Sequence, residues 1–257
     1  MLYFIPPQVW AWHRSRVKQL RRNCDALAVI LPFEETFYRN EGISAKYVGN
    51  PLVDRKWPDR EGARARLGIA AGERLVGIFP GSRGQEVRRL WGPMKEAATA
   101  LLAGGEAHRA VVAGTPAGEY PDPGAAVIHR GDPLDVFMAA DVALAKSGTT
   151  TLECALANVP MVVGYRAHWS SYWIVKMVAE VKYASLPNLI LDRAAFPELL
   201  QHECTAEALL KAARPLFDAA TPEARAQRAA LEEVRQKVGG PGAAGRVAEI
   251  AAGLIGA

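Results

Sequence analysis

The chain has 257 residues, half of them hydrophobic and 23% charged, enough to bury one large core or two modest ones and too apolar for a disordered segment. Its formal net charge is +4, and no run approaches the ~18 apolar residues that a membrane-spanning helix needs. The start, Met1 to Pro7, lacks the basic n-region of a secretory signal, and three scattered cysteines (Cys24, Cys154, Cys204) match no zinc or disulfide spacing. They read as buried thiols in a reducing cytosol. Much of the positive charge sits early, in a short helix-like stretch carrying Arg14, Arg16, Lys18, Arg21 and Arg22, with Val17 and Leu20 on its other side. It reads as a solvated face; anionic lipid headgroups are the functional alternative, and nucleic acid comes last because no nucleic-acid fold signature accompanies it. Residues 50–62, rich in proline and charge, read as an inter-domain linker.

From residue 75 short apolar runs alternate with helical stretches. The expected strands are Leu75–Phe79, Ala110–Ala113, Ala126–Ile128, Val142–Ala145 and Met161–Val163; the expected helices between them are Met94–Leu102, Pro133–Ala140 and Thr149–Ala157. This alternation predicts βαβ units and a parallel sheet. From Ala206 the chain is mainly helical, broken at Pro215, Pro222 and Gly239 to Gly242. Gly240 to Gly245 fits G-x-G-x-x-G, but it follows a helical run rather than a strand and reads as a helix stop and restart.

Two strand-to-helix turns carry the chemistry: Gly81-Ser82-Arg83, and Ser147-Gly148-Thr149-Thr150-Thr151. In an open parallel sheet both face the carboxyl edge, where ligands bind. Helix N-termini offer unpaired N–H groups and partial positive charge, glycine admits close approach, hydroxyls add donors and Arg83 adds a fixed cation. Together they favour a diphosphate over simple helix caps. Glu153, one turn into the second helix, is placed to accept hydrogen bonds from ribose hydroxyls, although complementing the helix dipole would suit it equally. The first turn lacks the Gly-Lys-Ser/Thr ending of a P-loop, so triphosphate hydrolysis is not implied.

The segment Ser147-Gly-Thr-Thr-Thr-Leu-Glu153, followed by Val159 to Arg166, resembles the nucleotide-sugar turn of the lipid-A-disaccharide synthase family. Further matching blocks are Pro80 to Arg83 with Glu86, Pro7 to Trp12, Leu31 to Glu34, Val48 to Leu52 and Ser185 to Asn188, in family order along nearly the whole chain. Pro6, Asn50 and Thr150 are mild departures.

The resemblance implies an α/β chain of the GT-B kind: a C-terminal Rossmann-like parallel-sheet domain over residues 50–257, and a remnant of the N-terminal, acceptor-side domain over 1–49. It implies transfer of the sugar of UDP-2,3-diacylglucosamine to the 6-hydroxyl of 2,3-diacylglucosamine 1-phosphate (lipid X), giving a β-1,6 lipid A disaccharide phosphate and UDP. By position, Gly81, Ser82, Arg83 and Glu86 form the first phosphate-side turn, Ser147, Gly148, Thr149, Thr150, Thr151 and Leu152 hold the diphosphate, Glu153 holds the ribose, and Asn188 matches a position associated with activity. No cofactor and no metal are expected, since no Asp-x-Asp pair occurs. Expected partners are the two lipid substrates, the inner face of the cytoplasmic membrane and a second copy of the chain. Localisation is expected to be cytoplasmic and peripheral. The alternatives are another UDP-sugar enzyme of similar architecture, such as an epimerase or a peptidoglycan glycosyltransferase, and a non-catalytic UDP-binding domain.

Family members carry roughly another hundred residues ahead of the segment resembling Tyr3 to Trp12, including the acidic residues proposed to deprotonate the acceptor. The chain is therefore expected to bind UDP without transferring sugar alone, and its general base is not assigned. His13, His168 and His202 read as surface or packing residues. Apolar surface left uncovered in residues 1–49 is expected, with Trp10 and Trp12 as suspects, either as core residues left uncovered or as acceptor-side contacts. Trp169, Trp173, Val175 and Met177, on a helix-like stretch from His168 to Val181, suggest a membrane-facing or core helix.

Overall fold

The computed structural model describes residues 1–12, 16–167 and 182–256. The expected helix over residues 168–181, with His13, Arg14 and His168, lies outside the described residues. The chain divides into two units: Met1–Lys56 with Arg235–Ala257, and Trp57–His168 with Tyr183–Val234. In the first, strands β1 (Leu2–Phe4), β2 (Ala26–Val29) and β3 (Ala45–Tyr47) form a parallel sheet in the order β1-β2-β3. Helices α1 (Val9–Trp12), α2 (Val17–Asn23) and α3 (Pro32–Asn40) cover it. Helix α2 buries Val17 and Leu20 and exposes Lys18, Arg21 and Arg22, the amphipathic split read from the sequence.

Trp10 is not an uncovered aromatic. It is buried, packs edge-on against Phe33 and donates its indole N–H to Glu34 Oε1 at 2.8 Å. Glu34 is buried because it also takes the N–H groups of Ile30 and Leu31 at the start of α3. Desolvation still pushes its carboxyl above the usual range, against those three bonds. Apolar exposure in this segment falls on and just after β1 instead, at Tyr3, Phe4 and Ile5.

The second unit begins at Trp57, inside the stretch that reads as a linker. Asp59 accepts the Gly62 N–H at 2.7 Å and so caps α4 (Arg60–Arg66). Strand β4 (Leu75–Phe79) leads to α5 (Gly84–Ala103), then β5 (Arg109–Ala113), β6 (Ala126–His129), α6 (Pro133–Ala139), β7 (Val142–Lys146), α7 (Thr149–Leu156) and β8 (Met161–Tyr165). After these come α8 (Leu186–Leu191), β9 (Glu198–Leu200), α9 (Ala206–Ala213) and α10 (Pro222–Val238). The sheet is wholly parallel, in the order β6-β5-β4-β7-β8-β9. This is the doubly wound order, with its switch point between β4 and β7. Every residue of β4 is buried, as a central strand covered on both faces must be.

Helix α5 starts ten residues before the expected Met94. Pro93 lies inside it without ending it, because Val87, Leu90, Trp91, Met94, Ala97, Ala98 and Leu101 keep one apolar stripe facing the sheet on both sides of the proline. Strand β9, three half-buried residues at the sheet edge, was not expected. Gln227 of α10 straps the start of β8, accepting from Met161 N at 2.9 Å and donating to Met161 O at 3.1 Å.

The glycine run does stop and restart a helix: Gly239 and Gly242 have φ of +73° and +104°, and α11 (Ala243–Ile255) follows. Helix α11 belongs to the first unit and packs on β1. Asp54 accepts the N–H groups of Gly242 and Ala243 at its N-terminus, at 2.6 and 3.2 Å. Arg246 donates to the carbonyls of Val48, Gly240 and Pro241. Gly49 is needed there, because its φ is +85° and a Cβ would stand 2.5 Å from Arg246 Nη2.

Candidate functional site

Both sequence-predicted turns leave neighbouring strands, β4 and β7, at the carboxyl edge of the second sheet. They are chemically unequal. In the first, Glu86 Oε2 accepts the N–H groups of Ser82 and Arg83 at 3.2 and 3.4 Å, so the chain's own carboxylate sits where α5 would receive an anion. Gly81 has φ +114°, and a Cβ there would lie 2.5 Å from Glu86 Oε2. The Glu86 Oε1 atom pairs with Lys146 Nζ at 3.1 Å and with Arg83 Nη1 at 3.4 Å. Partial burial pushes the Glu86 carboxyl up, but Lys146 and the two N–H groups outweigh it and hold it below the usual carboxylate range.

The second turn is open. Gly148 precedes α7 with φ +128° and ψ −151°, a backbone region that essentially only glycine occupies, and as the N-cap residue it brings no side chain to cap the helix. Thr149 is exposed and Thr150 half-buried, while Leu152 is buried. The other two hydroxyls hold the turn's shape: Thr151 Oγ1 donates to Gly148 O at 2.7 Å, and Ser147 Oγ to Ala184 O at 2.6 Å.

Asn188 lies behind that turn with its amide fully engaged. It donates to Phe196 O and Glu198 Oε1, at 2.9 and 2.8 Å, and accepts from Ala195 N and Phe196 N, at 2.9 and 3.0 Å. Glu198 also accepts from Ala184 N, Ser185 N and Ser185 Oγ. A continuous polar network therefore links Asn188, through Glu198 and residue 184, to Ser147. Neither Lys146 nor Glu198 was singled out from the sequence. Their partners lie 60 and 10 residues away, and only the fold brings them together.

A cleft of about 150 Å³ brings Gly81 and Ser82 of the first turn together with Thr150 and Glu153 of α7. Its apolar side is Phe79, Pro133 and Phe137, with the two phenylalanine rings stacked 4.1 Å apart. A larger hollow of about 580 Å³ lies at the opposite, amino edge of the sheet. Size does not make it the site, because its polar groups are already paired: Arg109 with Glu73, and His108 with the Arg74 N–H. Among the described residues no group of His, Cys, Asp and Glu is arranged to hold a metal.

The family model for lipid-A-disaccharide synthetase matches residues 1–240. The chain belongs to the lipid-A-disaccharide synthase family. The family member of Anaeromyxobacter dehalogenans strain 2CP-C is 40% identical over 267 residues, which cover 99% of this chain and 69% of that protein. Members of this family are hexosyltransferases, and the solved structures of similar shape agree in fold. Acinetobacter baumannii MurG matches with a TM-score of 0.54 at 17% identity, over 97% of this chain and 65% of that one. Arabidopsis thaliana UGT89C1 matches at 0.58 and 14%, over 98% and 65%. These likenesses give the GT-B type of α/β fold alone, and the parallel sheets agree with it.

Proposed function

We propose that the cleft at the β4/β7 switch point is the donor site of a lipid-A-disaccharide synthase, which takes UDP-2,3-diacylglucosamine and passes its sugar to the 6-hydroxyl of lipid X. The uncapped N-terminus of α7, with Glu153 in the same cleft, is the observation that carries this reading. The diphosphate lies at Thr149 and Thr150, where the helix dipole is unopposed, rather than at α5, whose N–H groups Glu86 holds. Ser82 and the exposed Arg83 side chain approach it from the first turn. Glu153 receives the ribose hydroxyls, and the uracil packs toward Phe79, Pro133 and Phe137. Glu86, Ser147, Thr151 and Asn188 then shape the site without touching donor. As the sugar C1–oxygen bond to UDP breaks, the α7 dipole and Arg83 stabilise the charge gathering on the departing diphosphate. The acceptor hydroxyl forms the new bond to C1 and gives up its proton to a base.

Calorimetry with UDP and inorganic pyrophosphate tests these assignments. Arg83→Ala is expected to weaken both ligands by about 1–2 kcal/mol, below the upper range for charged hydrogen bonds because the side chain is 82% exposed. Glu153→Ala is expected to weaken UDP and leave pyrophosphate nearly unchanged. Equal losses for both ligands in Glu153→Ala would remove the ribose assignment.

The exposed basic face of α2 supports a second proposal, peripheral association with an anionic membrane surface. No described helix is long and apolar enough to cross a membrane. Flotation with anionic liposomes at low salt is expected to carry the protein upward and to fail as salt rises. Neutral liposomes that float it equally well would refute the electrostatic contact.

A further inference from the structure

Lys146 is the last residue of β7, at the switch point, and its side chain is 19% exposed. Of its three ammonium donors, Glu86 takes one at 3.1 Å. A Cβ built on Gly148 would stand 3.4 Å from Lys146 Nζ, so the ammonium hangs beside the residue that opens α7. Charge counting around Glu86 is informative. One carboxylate faces two cations, Arg83 and Lys146, and two backbone N–H groups, so Glu86 alone does not neutralise both cations beside the start of α7. A structural ion pair would need only one cation. A partly desolvated ammonium held at a helix N-terminus suits an incoming phosphate oxygen.

We propose that Lys146 is a further donor-site residue, contacting the diphosphate, and that Glu86 is the positioning residue that holds its ammonium beside the open end of α7. This rests on the reading of the cleft as a UDP site and extends it to a residue outside the two turns. The lysine's unused donors take phosphate oxygens, while Glu86 keeps the long stem from folding out to solvent. Arg83, far more exposed, closes over the same group from the other turn.

The test is calorimetry of the full chain and its Lys146→Gln variant with UDP, inorganic pyrophosphate and uridine, the last by competition. Lys146→Gln is expected to weaken UDP and pyrophosphate by about 10–100-fold and uridine by less than about threefold. Lys146→Met, which keeps the stem and loses the charge, is expected to behave alike. Wild-type binding of UDP with both variants within about twofold of it would overturn the proposal and leave the donor site standing, the pair being structural only. A loss for uridine as large as for UDP would also overturn it, since the cleft would then be deformed. A wild-type chain that binds none of the three ligands would instead overturn the donor-site reading, and this inference with it.

Discussion

Asn188→Ala is expected to destabilise the second unit by about 3–5 kcal/mol and to weaken UDP along with it. The side chain is fully buried and makes four hydrogen bonds. Alanine leaves two backbone N–H groups, one carbonyl and part of the Glu198 carboxylate without that partner, each worth about 1–3 kcal/mol before relaxation. Because Glu198 also fixes residues 184 and 185, and Ala184 O receives the Ser147 hydroxyl, slack here reaches the mouth of α7. Urea denaturation alongside UDP calorimetry checks it. Lost UDP affinity at undiminished stability would mean that Asn188 meets the ligand directly.

Gly81→Ala has the second large expected effect: about 2–4 kcal/mol of stability, and at least about a hundredfold in UDP affinity. Its φ of +114° is strained for alanine, a cost of about 1–3 kcal/mol. The added methyl also meets Glu86 Oε2 at 2.5 Å and Glu86 Cβ at 2.8 Å, where α5 gives the backbone no room to retreat. Driving Glu86 aside releases the Ser82 and Arg83 N–H groups and the Lys146 ammonium together. Thermal melting and UDP titration of the variant measure both parts. Ordinary UDP affinity in Gly81→Ala would show that Glu86 does not shape the site.

The second sheet was legible because parallel strands buried on both faces write themselves as short, unbroken apolar runs. Of the expected strands, Leu75–Phe79 matches residue for residue, and the others differ by one or two positions at their ends. Both turns were legible too, since glycine and hydroxyls between a strand and a helix have few other uses. What the turns do was less so. Glu86 resembled a phosphate-side residue, and only the fold reveals its carboxylate bound to the turn's own N–H groups. The first ten residues of α5 were hidden by Gly84 and Pro93, poor helix formers whose cost tertiary packing offsets. Strand β9 is too short and too exposed to carry a period. Trp10 looked stranded because its partner, Glu34, is a residue type that sequence patterns place at the surface.

Helix α11 belongs with the first strands, though it is the last element of the chain. Asp54 meets Gly242 across 188 residues, and Arg246 meets Val48 across 198. The unit that holds β1 to β3 is therefore completed by a helix that follows the whole second unit along the chain. Closing so long a loop costs on the order of 5 kcal/mol in chain entropy, and the cost grows only logarithmically with length, so insertions in the second unit add little to it. Contacts of such sequence separation slow folding more than they weaken it.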